Sequence, residues 1–153
     1  MGITNMMKIL VFFSLVSLVV VGCDNSNNEQ KIVKEVVKRD VDYKQFSAGQ
    51  RLFQKNCAVC HGKNAQGAKD WRKRNDEGKN PAPPLNGTGH TWHHSYQSLT
   101  NTIKNGTVKI GGNMPAWGAK LSNDEIKLIL TWITAQWPDE IYSAWYNRFY
   151  QQK

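Results

Sequence analysis

The residues best able to do chemistry in this chain crowd into one pentapeptide, Cys57, Ala58, Val59, Cys60 and His61. Two thiols at this spacing can form a redox disulfide, supply half of a zinc site, or add to the two vinyl groups of one haem. The histidine that follows at once favours the third chemistry, because its imidazole can swing under the ring and bind the iron. A zinc site needs a second ligand pair, and the candidates His90, His93 and His94 bring no cysteine with them. A thioredoxin-like pair needs a strand before it and a parallel sheet around it, and no convincing period-two alternation is present.

A carrier of electrons also needs a ligand on the far face of the iron. Met114 stands 53 residues beyond His61, within Gly111, Gly112, Asn113, Met114, Pro115, Ala116 and Trp117. A thioether is a soft, neutral ligand that favours ferrous iron and raises the potential. Glycines before it and Pro115 after it pin an extended loop that can point the sulfur inward. Capped by His61 and Met114, the iron keeps no open position, so the expectation is an electron carrier without substrate turnover. Were Met114 displaced, the chain would be a haem-based small-ligand sensor or a peroxidase-like enzyme. Without haem it would be a metal-binding lipoprotein.

Three helices can be placed to hold these residues. The first spans about Tyr43 to Lys55, with Phe46, Gln50 and Phe53 at helical spacing, and it delivers Cys57 at its end. A second runs from about Ser95 to Lys104, with Tyr96, Leu99 and Ile103 as its stripe and Gly106 as its stop. The third opens on a capping box of Ser122 and Glu125 and carries Ile126, Ile129, Leu130 and Ile133 up to Trp137 and the breaker Pro138. The class is therefore all-α. Between the first two helices lie roughly 35 residues without periodicity, long for a compact domain unless something else fills the core. One covalently held haem would be that filler.

From about Tyr43 to Trp137 the chain resembles a class I, monohaem bacterial cytochrome c, through Gly49 and Phe53 ahead of the motif, Cys57, Cys60 and His61 in it, Pro83, Pro84, Leu85 and Gly87 after it, then Gly106, Met114, Pro115 and the last helix. The resemblance implies three to five helices packed around one haem c. It implies that Gly49 and Phe53 meet Ile129 and Trp132 where the first and last helices cross. It further implies that the carbonyl of Pro83, or else of Pro84, accepts the Nδ1 proton of His61, a bond that fixes the imidazole and strengthens its donation to iron.

Two segments exceed a plain member of that family. In Gly89, His90, Thr91, Trp92, His93 and His94 the imidazoles could hold copper, or Trp92 and a histidine could bond the haem propionates, or the loop could simply be polar. In the tail, 138–153, Ile141, Tyr142, Trp145, Tyr146, Phe149 and Tyr150 share one helical face, which either packs on the domain or docks an oxidase or reductase.

The N-terminus predicts export. Lys8 precedes an apolar run of 13 residues, Ile9 to Val21, too short for the about 20 that cross a bilayer and within the about 7–15 of a secretory segment. Val20, Val21, Gly22 and Cys23 resemble a lipobox, so residues 1–22 are expected to be a lipoprotein signal peptide and Cys23 the lipidated first residue. Asp24 after it implies, by the rule of enteric lipoproteins, the periplasmic face of the inner membrane. Residues 23–40 follow as a polar tether and 41–137 as the haem domain.

Only Lys8 of the 20 basic residues is lost with residues 1–22, so the formal charge goes from +8 to +7. Export separates this charge from the chromosome, so anionic lipid or an acidic partner is its natural counterpart and nucleic acid is not. Lys63, Lys69, Arg72, Lys73, Arg74 and Lys79 form either a solvated face or a positive rim that steers such a partner. The expected partners are redox proteins of the respiratory chain or periplasm, met by a monomer.

Overall fold

A computed structural model describes residues 36–150. Five α-helices follow one another, α1 Tyr43–Asn56, α2 Ala58–His61, α3 Tyr96–Asn105, α4 Asn123–Ala135 and α5 Asp139–Tyr150, with 3-10 turns at Thr91–His93 and Val108–Ile110. The described residues contain no strand. The all-α expectation holds, and the three helices placed from sequence appear within a residue or two of their expected ends.

Local chemistry explains those ends. The Asp42 side chain accepts from the Gln45 amide and opens α1. Ser95 does the same for Ser98 at α3, and Ser122 with Glu125 closes a reciprocal capping box at α4. Each side-chain oxygen satisfies an amide that the first helical turn leaves unpaired. At the far end of α3, Gly106 takes φ 65° and turns the chain out of the helix.

The core is the crossing of α1 on α4. A Cβ on Gly49 would lie 2.1 Å from the Leu128 carbonyl oxygen, so only glycine permits this approach. One turn on, the Phe53 and Trp132 rings meet with centroids 4.4 Å apart. Around them Ile126, Ile129, Leu130 and Ile133 are buried on one face of α4. The expected partners of Gly49 and Phe53 are thus met at Trp132, with the Leu128 backbone as the point of closest approach.

Chain on both sides of the expected 41–137 domain packs on it. In α5, Trp145 is buried and meets the Trp137 ring edge-on at 5.2 Å, and its indole N–H donates to the His94 carbonyl at 2.8 Å. Upstream, Arg39 donates to the Thr134 and Ala135 carbonyls at the end of α4, each at 3.1 Å. It also pairs with Asp139 and lies 4.8 Å over the Tyr142 ring. The compact chain therefore begins before Val41, because one guanidinium satisfies carbonyls that a helix end leaves open. Residues 1–35, which carry the expected signal peptide, Cys23 and most of the expected tether, lie outside the described residues, as do 151–153.

Gly49→Ala is expected to cost about 3 kcal/mol, since neither backbone can yield to the added methyl without parting the helices. The denaturant midpoint followed by far-ultraviolet circular dichroism measures it, and a midpoint equal to that of the unaltered protein would show that the crossing is looser than 2.1 Å implies.

Candidate functional site

The short helix α2 grows directly from the end of α1. The Cys57 amide donates to Phe53 and the His61 amide to Cys57, at 2.8 and 3.0 Å. Cys57, Cys60 and His61 are thereby brought to the wall of one cavity of about 1010 Å³, at the upper end of the about 300–1,000 Å³ usual for small-molecule and cofactor sites. Leu85, Leu99, Ile103, Leu130 and Ile133 give that wall its apolar character, and Met114 lines it too.

His61 is buried, and its Nδ1 lies 2.9 Å from the Pro83 carbonyl. A carbonyl only accepts, so Nδ1 carries the proton and Nε2 keeps its lone pair. Burial lowers the pKa of His61, opposed in part by the Pro83 bond, which leaves the ring neutral and able to bind a metal. Between the two prolines offered by sequence, the acceptor is Pro83. Pro84 accepts instead from the Thr91 hydroxyl, at 3.1 Å.

Met114 is held by its backbone. Its carbonyl accepts from the Thr107 amide at 2.8 Å, and its amide donates to the Thr107 hydroxyl at 3.1 Å. Beyond it, Trp117 and Gly118 donate to the carbonyls of Ile103 and Lys104, each at 3.0 Å. These bonds lace the loop to the end of α3, and Gly106 leaves room for it to pass.

The two thiols are not joined to each other. Burial pushes the Cys57 thiol up to about 11, and the neighbouring Cys60 adds to the rise. Cysteines of redox-disulfide motifs are shifted the other way, so this environment argues against that chemistry. Among the described residues no group of three or more His, Cys, Asp or Glu converges to hold a metal ion. The copper arrangement considered for His90, His93 and His94 is accordingly not formed. His93 stacks on Trp92 with centroids 3.8 Å apart, while His90 stacks on Trp71 at 5.5 Å.

The structure thus brings together Cys57, Cys60, His61, Pro83, Leu85 and Met114, and it leaves Trp92 out. The Trp92 indole N–H donates to the Gly89 carbonyl at 3.1 Å, and the residue is absent from the cavity wall. His90 and His94 line the wall where Trp92 was expected. Burial, followed by His94, His93 and Arg72, lowers the pKa of His90. Lys55 and Arg74 also line the cavity, and among the described residues no Asp or Glu does. The fixed charges of its lining are therefore all positive. Sequence reasoning missed Thr107 and Trp137, although a tryptophan at a helix end whose N–H must find an acceptor is a usable signal.

A family model described as cytochrome c oxidase, cbb3-type, subunit III matches residues 44–133. The chain belongs to this family. With the helical architecture above, membership gives the class I-like cytochrome c fold, a domain that carries electrons, and haem c as its cofactor. The cbb3-type oxidase subunit CcoP of Azospirillum brasilense is 33% identical over 96 residues, covering 63% of this chain and 30% of that protein. The CcoP of Rhodobacter capsulatus is 31% identical over 108 residues, 66% of this chain and 32% of that one. The match thus spans about a third of those curated relatives. Cytochrome cL of Methylophaga aminisulfidivorans aligns at a TM-score of 0.47 with 23% identity, covering 69% of this chain and 62% of that structure.

The residues of this subunit III-type cytochrome suit such a cofactor. Two free thiols, a neutral imidazole with a free Nε2, a thioether and an apolar wall share one cavity, and among the described residues no carboxylate lines it.

Gly106→Ala is expected to dislodge the Met114 loop, because the new Cβ would lie 2.5 Å from the Met114 carbonyl oxygen at a φ of 65°. Losing about 1.4 kcal/mol of local stability would speed amide exchange at Thr107 and Trp117 about tenfold. Hydrogen exchange read by mass spectrometry checks it, and unchanged protection of both amides would refute it.

Proposed function

We propose that this chain is a lipid-anchored, monomeric c-type cytochrome that passes single electrons between redox proteins at the periplasmic face of the bacterial inner membrane. Its haem is bonded through Cys57 and Cys60, and its iron is ligated by His61 and Met114. The observation that carries the reading is the convergence of these four residues on one apolar cavity. Cys23 is the lipid attachment point, residues 1–22 are a removable signal peptide, and nucleic acid is not a partner.

When bound, the haem iron supplies a one-electron couple. The chain's own residues determine how that couple behaves. Pro83 orients His61 and strengthens its donation, which favours the oxidised state, while the neutral thioether of Met114 favours the reduced one. The apolar wall excludes water, so little solvent has to reorient as charge changes. Thr107 keeps Met114 in place through its two backbone bonds. No helix among the described residues is long and apolar enough to cross a membrane, and the proposed attachment is through acyl chains, of which two or more hold stably where one is marginal.

Electron exchange is proposed to occur where the cavity wall reaches solvent. Val59 and Ile110 line the cavity and are 88% and 83% exposed. Lys55 and Arg74 stand in the same wall. An acidic redox partner could cover such a surface, with Lys63, Lys69, Arg72 and Lys73 steering its approach.

Exported protein should give an alkaline-pyridine haem spectrum and an intact mass increased by one haem and by acyl groups. A colourless product with no added tetrapyrrole would end this proposal. Met114→Ala should lower the midpoint potential by a sizeable part of the about 0.8 V that axial ligation spans, and it should admit carbon monoxide. Rapid carbon monoxide binding by the unaltered reduced protein would point instead to a sensor or a peroxidase-like enzyme.

Reduction by an acidic partner should slow steeply between 0.01 M and 0.15 M salt, as the screening length falls from about 30 to about 8 Å. Stopped-flow rates that ignore salt would remove the steering role.

A further inference from the structure

Three consecutive carbonyls in the loop beside the cavity each receive a side-chain donor from a different part of the chain. His61 Nδ1 donates to Pro83 at 2.9 Å, Thr91 Oγ1 to Pro84 at 3.1 Å, and Trp137 Nε1 to Leu85 at 2.7 Å. Two of the three residues are prolines, which lack an amide N–H and so can only accept. The one amide in this strap, that of Leu85, is used as well, donating to Ala65 at 2.7 Å. The two donors other than His61 are buried, Thr91 6% and Trp137 2% exposed. Trp137 also lies beyond the stretch that matches the family, residues 44–133.

We propose that Trp137 and Thr91 are positioning residues for His61, holding the Pro83–Leu85 strap so that the Pro83 carbonyl stays on the imidazole Nδ1. This rests on His61 being the proximal iron ligand, as proposed above. A buried carbonyl deprived of its donor seeks another partner or water, and a strap of three residues cannot shift at one carbonyl without shifting its neighbours. If the Pro83 bond lengthens, the His61 ring loses both a fixed orientation and part of its basicity. A less basic ligand stabilises oxidised iron less, so the midpoint potential rises.

The test uses the full-length, haem-loaded protein. Trp137→Phe keeps an aromatic ring against Trp145 but removes the N–H, and Thr91→Val removes the hydroxyl at nearly constant shape. Tyr146→Phe, in α5, is the control. Midpoint potential by spectroelectrochemical titration and the exchange rate of the His61 Nδ1 proton by NMR are the readouts, with thermal melting recorded beside them. Each variant should raise the potential and speed that exchange several-fold, and the double variant should exceed either, while the control does neither.

Lower melting temperatures with potential and proton exchange both unchanged would overturn the inference, leaving Trp137 and Thr91 as packing residues only. Should Trp137→Phe fail to fold, Thr91→Val decides alone, by the same two readouts. An unaltered protein without a pyridine haem spectrum would instead sink the proposed function, so the two failures are distinguishable.

Discussion

The close contact of two backbones where α1 meets α4 is the constraint from which the site is built. Gly49 lies against the Leu128 carbonyl, and Phe53 lies on Trp132. That crossing fixes the end of α1, from which Cys57, Cys60 and His61 emerge, relative to Leu130 and Ile133 on the inner face of α4. The thiols and one apolar wall of the cavity are thus set by a single close approach. The remaining walls come from chain with little regular structure, and hydrogen bonds rather than packing periodicity hold them.

Two such walls use the same device. On one, backbone bonds to Thr107, Ile103 and Lys104 lace the Met114 loop to the end of α3. On the other, the loop after His61 folds back through bonds from Gly67 to His61, Ala68 to Ala82 and Leu85 to Ala65, at 2.8, 2.9 and 2.7 Å. A long aperiodic loop inside a compact domain becomes affordable when its polar groups are satisfied in this way. Pro83 and Pro84, which lack an amide N–H, add acceptors there for His61 and Thr91.

Helices α1, α3 and α4 were legible in the sequence because their signals are local. Asp42, Ser95, Ser122 with Glu125, and Gly106 each act within one helical turn, and each appears as its type predicts. Met114 and the Cys57 to His61 motif stood out in the sequence because few chemistries suit those residue types at that spacing, and they line one cavity. What was not legible depends on long-range geometry. Trp92 with a histidine was one candidate for the haem propionates, but its N–H finds the Gly89 carbonyl three residues away, while His90 and His94 line the cavity. Arg39 looked like one charge in a solvated tether, and its carbonyl partners lie 95 and 96 residues on. Trp137 was seen as the end of a stripe, with no hint that its nitrogen reaches Leu85.

The position of Arg39 has a mechanical meaning. Its guanidinium grips the last turn of α4 and the first residue of α5, and the Val37 amide holds the Ser143 hydroxyl beside it at 3.0 Å. The chain that enters the domain through Val37 and Arg39 is therefore fastened at the α4–α5 corner. Arg39 borders the smaller cleft, beside Tyr142 and Tyr146, and takes no part in the wall of the large cavity. Residues 37–39 are thus fastened away from the cavity wall, and they cover neither Val59 nor Ile110 there.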